Sequence, residues 1–62
     1  MKALYRKTSF VGMVYYYVGE IVETTKCKYK MNLTHIAYDD GTLKHPINPR
    51  VVTVNKTSVK LI

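Results

Sequence analysis

Sixty-two residues allow one small domain and leave little room for a multi-step enzyme with a deep pocket. Ten Lys and Arg against four Asp and Glu give a net charge of +6, and 47% hydrophobic residues exclude a disordered basic tail or a collagen-like repeat. Cys27 is the single cysteine, which excludes an intrachain disulfide and points to a reduced, cytoplasmic setting.

The composition favours strands. Eight Val, four Ile and seven Thr suit a pleated surface and lose side-chain freedom in a helix, whereas Ala appears only twice. No apolar stripe of helical period persists for three turns. In chain order, the first strand is expected over Lys2–Thr8. A second runs from Val11 to about Glu23, interrupted by Gly12 and Gly19 and apolar on both faces, so it is either central or bent at a glycine. The apolar run Phe10–Val22 is thirteen residues long, short of the roughly 20 that a bilayer-spanning helix needs. The opening loosely imitates a signal peptide, but Tyr15, Tyr16 and Tyr17 interrupt its apolar part and no Ala-x-Ala-like site follows. No membrane partner is expected.

A third strand is expected over Lys26 to about Tyr38, bulged near Asn32, because Tyr29, Met31 and Leu33 share one parity while Ile36 and Tyr38 share the other. Asp39-Asp40-Gly41 is the clearest turn, pairing Ile36–Tyr38 with Thr42–His45. Pro46 and Pro49 mark a loop or a sheet edge. Val51–Val54 follows as a strand, Asn55-Lys56-Thr57 as a turn and Ser58–Ile62 as a closing strand. The whole chain, 1–62, therefore reads as one all-β domain, a small five-stranded SH3-like or OB-like barrel. The hairpin around Tyr38-Asp39-Asp40-Gly41 resembles that of Tudor-type and related SH3-like barrels. The resemblance covers roughly residues 33–54, implies a barrel, and would place Tyr38 in or near an aromatic cage for methylated side chains. The chain departs from that pattern in lacking tryptophan and in its positive charge.

Lys26, Lys28 and Lys30 alternate with Cys27 and Tyr29, so one strand would carry all three ammonium groups on one side, as a row that tracks phosphates or as a solvated face. Arg50, Lys56 and Lys60 are the further cations expected to contact phosphates. Among the tyrosines, Tyr16 shares parity with Val14 and Val18 and is expected inside. Tyr15 and Tyr17 then point the other way and, with Tyr29, offer surfaces on which bases stack. Glu20 and Glu23 fall on opposite sides of a strand, Asp39 and Asp40 build a turn, and His35, His45 and Cys27 lack metal-site spacing. No catalytic residues, metal or cofactor are therefore expected. The expected function is nucleic-acid binding, RNA or single-stranded DNA above duplex, with little sequence preference. The alternative is a non-catalytic protein-interaction module, such as a phage-encoded type of regulator, whose lysines steer it to an acidic surface of a larger enzyme or ribonucleoprotein. A homodimer through the edges of the Val11–Glu23 and Ser58–Ile62 strands is a further expectation.

Overall fold

The computed structural model describes residues 1–62 and contains five antiparallel strands in one sheet, with no α-helix. The strands are β1 (Lys2–Thr8), β2 (Val14–Thr24), β3 (Lys28–Ala37), β4 (Leu43–Asn55) and β5 (Val59–Leu61), in the order β4-β3-β2-β1-β5. A single 3-10 turn, η1 (Lys56–Ser58), joins β4 to β5. No helix is long and apolar enough to cross a membrane.

The sheet is not closed into the expected barrel, since β4 and β5 are its two edges and do not pair with each other. It is nevertheless strongly curled. Four interstrand steps of roughly 4.8 Å would put the edges of a flat sheet about 19 Å apart. Asn55 and Val59, on those edges, are only four residues apart in the chain, a reach of at most about 14 Å. The thirteen residues of β4 lead to the same conclusion: straight, they would span about 43 Å, but the molecule measures 27 × 23 × 20 Å.

Bulges supply the bend. On β3, Thr34 is an extra residue between the pairs Val18↔His35 and Gly19↔Leu33, two positions beyond the expected bulge at Asn32. Three β4 residues, Ile47–Pro49, oppose that same Thr34. The break expected at the prolines is thus a bulge inside one continuous strand, which tolerates Pro because it is an edge strand. β2 lies between β1 and β3, so it offers no edge to a second copy; β4 and β5 are the edges.

Curling gives the sheet two apolar clusters, one entered by each parity of β1. Ala3, Met31, Leu33 and Val54 form the larger, with Tyr5, Tyr17, Ile21, Tyr29, Ile47, Val52 and Val59 packed against it. Leu4, Val18 and Ala37 form the smaller, with Tyr16 against them. Met31, Leu33 and Val18 are the largest fully buried side chains, each contributing roughly 1.5–3 kcal/mol by leaving water. Gly19 sits where strands approach most closely. A Cβ there would overlap the Asn32 carbonyl oxygen and stand 2.9 Å from Leu33 Cα, so only glycine fits.

Candidate functional site

The β2–β3 turn gathers the strongest positive charge. Thr25 closes it: its N–H donates to Lys28 O at 2.9 Å, and its Oγ1 accepts the Lys28 N–H at 3.1 Å. Lys26 and Cys27 are therefore exposed on the turn rather than on the strand. Lys28 and Lys30 follow on β3, exposed and alternating with half-buried Tyr29 and buried Met31, which turns both ammonium groups away from the core. Lys56 joins them from across the chain, because its N–H donates to Cys27 O at 3.3 Å. Its Nζ lies 5.1 Å from the centroid of the Tyr29 ring, a cation–π contact. Glu23 is the one acid in ion-pair range, 3.8 Å from Lys30 Nζ with both side chains exposed. One carboxylate against Lys26, Lys28, Lys30 and Lys56 leaves the site strongly positive.

The other expected residues lie elsewhere. Arg50 is exposed on β4 opposite Leu33. Lys60 is on β5 opposite Leu4 and lines an open cleft of about 530 Å³. Arg6, Lys7, Thr57 and Ser58 share that cleft, with Asp39 at its wall. The Lys2 carbonyl accepts the Ile62 N–H at 3.1 Å, so the even-numbered residues of β1 direct their backbone groups toward β5. β5 pairs only with Ala3–Tyr5. Beyond it, the backbone groups of Arg6 and Thr8 face the cleft without a strand partner. Sequence reasoning missed Arg6 and Lys7 because nothing local indicates how short β5 is.

The tyrosines divide. Tyr17 packs on the larger core cluster and stacks with Tyr5, ring centroids 6.2 Å apart. Tyr16 is half-buried against the smaller cluster. Tyr15 is exposed, its hydroxyl donating to Met13 Sδ at 3.6 Å. Tyr15 and Tyr17 thus lie toward the far end of β2 from the lysines, whereas Tyr29 alternates with Lys28 and Lys30 in the chain but turns its ring to the larger core cluster, beneath Lys56.

That far end carries an apolar tip. Ser9–Met13, at the start of the expected second strand, is a turn instead, because Gly12 takes φ +86°. Phe10 is fully exposed, Val11 is 67% and Met13 55% exposed, and Val14 and Tyr15 continue the surface. Tyr38 and Lys44 of the β3–β4 hairpin border it through a shallow groove, with Lys44 Nζ 5.0 Å from the Tyr38 ring centroid.

Asp40 stands in the turn between β3 and β4. Its carboxylate accepts the Thr42 N–H at 2.8 Å, and this hydrogen bond holds its pKa below the ordinary 3.8. No three His, Cys, Asp or Glu side chains gather as a metal site would require. Compared with protein-family models, curated proteins and solved structures, the chain shows no significant match.

Proposed function

We propose that the chain is a non-catalytic, cytoplasmic nucleic-acid-binding protein that holds RNA or single-stranded DNA chiefly through phosphates, with no cofactor. The observation that supports this reading is the gathering of Lys26, Lys28, Lys30 and Lys56 around one turn, weakly opposed by Glu23 alone. Each ammonium that neutralises a phosphate releases a counterion. Tyr29, half-buried on the larger cluster with Lys56 over its ring, would meet a base only at its open edge, and Tyr15 is the exposed ring at the other end. Arg50 and Lys60 would extend the phosphate path. We likewise read the curled, unclosed sheet as an open relative of the SH3-like or OB-like barrels.

Titration with fluorescent single-stranded RNA, single-stranded DNA and duplex DNA over a salt series tests this. Log affinity should fall linearly with log salt, by about 0.7 for each phosphate neutralised on a single strand. Lys28→Gln and Lys30→Gln should each flatten that slope by about one contact. Absence of binding at low salt would sink the reading.

A second reading is supported by the cleft beside β1. Its unpartnered strand edge at Arg6–Thr8 and the cations Arg6, Lys7 and Lys60 suit an acidic extended segment of a partner protein, added as a short strand. Phage-type regulators of larger enzymes or ribonucleoproteins would use such a site. Loss of partner binding on Lys60→Glu, with nucleic-acid affinity retained after Lys28→Gln, would favour it.

A further inference from the structure

Against the expectation of no membrane partner, which takes this segment as the start of a strand, we infer that the Ser9–Met13 hairpin tip is a membrane-surface anchor that inserts into the interface of an anionic bilayer. The inference stands apart from nucleic-acid binding, because it rests on the opposite end of β2. Four features carry it.

The tip is apolar: from Phe10 to Val14 no side chain carries nitrogen or oxygen, and Phe10 is fully exposed to water. The tip is also rigid. Ser9 N–H donates to Met13 O at 2.8 Å, Gly12 N–H to Ser9 O at 3.0 Å, and Met13 N–H to Ser9 Oγ at 3.2 Å. The exposed phenyl is therefore held out by the backbone and is not a frayed end.

Behind the tip come amphipathic rings. Tyr15 and Tyr38 border the apolar surface, and tyrosine favours the boundary between headgroups and acyl chains. Cations lie level with the rings. Lys7, paired with Tyr15 near the end of β1, is three residues from Phe10, at most about 11 Å, which reaches the headgroup layer when the tip is buried by about 5–10 Å. Arg6 and Lys44 lie at similar depth, and none of the three is in an ion pair. Two acids belong to this end: Asp39 lines both the groove with Lys44 and the cleft with Arg6 and Lys7, and Asp40 is tied to the Thr42 N–H, so three cations stand against two acids. The apolar tip thus leads, and the rings and cations share the level behind it, Lys7 paired with Tyr15, as the boundary of an anionic membrane surface requires. A base step in a nucleic acid would accept one flat ring, but has no depth for Val11 and Met13 beside it.

The test is co-sedimentation of the full chain with phosphatidylcholine vesicles and with vesicles that also contain phosphatidylserine. Binding is expected to the second and to weaken with salt. Phe10→Ser should lower the partition coefficient by about tenfold or more, given the apolar area that it withdraws. Arg6→Gln and Lys7→Gln should each lower it about fivefold. Phe10→Trp should show a blue-shifted emission that brominated lipids quench, which adsorption of a +6 protein by charge alone would not produce. Circular dichroism on each variant confirms the sheet. Wild-type protein that ignores both vesicles would overturn the inference. So would binding that Phe10→Ser leaves unchanged, or indole emission from the Phe10→Trp variant that stays at the wavelength of water. Loss of nucleic-acid affinity in Phe10→Ser, without vesicle binding in the wild type, would overturn it too and make the tip a wedge between bases.

Discussion

The β1–β2 and β3–β4 hairpins end in turns of the same construction and opposite chemistry. In Ser9–Met13 and in Tyr38–Thr42, the first N–H donates to the fifth carbonyl at 2.8 Å and the fourth N–H donates to the first carbonyl at 3.0 Å. The fourth residue is glycine at φ +86° in one and +90° in the other. A side-chain oxygen caps the fifth N–H in both, Ser9 Oγ at 3.2 Å and Asp40 Oδ1 at 2.8 Å. Positions two and three differ completely, Phe10-Val11 against Asp39-Asp40. The turn geometry therefore belongs to the glycine and a capping oxygen, supplied from position one by Ser9 and from position three by Asp40, so that in Ser9–Met13 positions two and three are both free to carry surface chemistry. An exposed Phe at such a position is not needed by the fold.

The largest effect expected sets these two glycines against the third. Gly19→Ala puts a methyl into the backbone of β3, where neither neighbour is a flexible side chain. Only a backbone shift can relieve the overlap, so the substitution should destabilise by about 3 kcal/mol. Urea unfolding measures it, and a loss below about 1 kcal/mol, the low end for overpacking, would contradict the close approach. Gly12→Ala and Gly41→Ala meet open space or ordinary contact and cost only their positive φ, about 1–2 kcal/mol each. Equal losses at the two sites would support the shared construction.

Acid separates the turns more gently. The Asp40 pKa is lowered on folding, so its contribution is complete above the ordinary value of 3.8 and is lost as pH falls through the lower folded value. The Thr42 amide resonance should titrate in that range while the Met13 amide, capped by a hydroxyl, does not. The smallest effect is on folding when the apolar tip is made to imitate the acidic one. Phe10→Asp with Val11→Asp should leave stability within about 0.5 kcal/mol, yet abolish vesicle binding. A large loss of stability would mean that the tip packs within the fold.

Local chemistry was legible in the sequence and long-range closure was not. Gly41 after two aspartates declared its turn, and the alternation Lys28-Tyr29-Lys30 declared which side of β3 is outward. Gly12 stands at the same spacing from Ser9 as Gly41 from Tyr38, but the surrounding apolar run hid the turn and extended the expected strand back to Val11. Lys26 fell off the strand for a similar reason: Thr25, with no apolar signal, closes the turn through its hydroxyl. The prolines of β4 correctly marked an edge. Whether two short strands fuse across a bulge is decided by pairing with β3, which no local pattern encodes. The same holds for the tyrosines, since Tyr17 meets Tyr5 only through the β1–β2 register.

The shortness of β5 has a kinetic consequence. β1 to β4 form a meander in which each pairing closes a local loop, whereas Ala3↔Leu61, Leu4↔Lys60 and Tyr5↔Val59 join opposite ends of the chain. Three residue pairs must repay the closure of almost the whole polypeptide, and they can do so only once the curl has brought η1 across. β5 should therefore dock after the transition state and leave first, so that substitutions at Val59 or Leu61 accelerate unfolding while the folding rate barely changes.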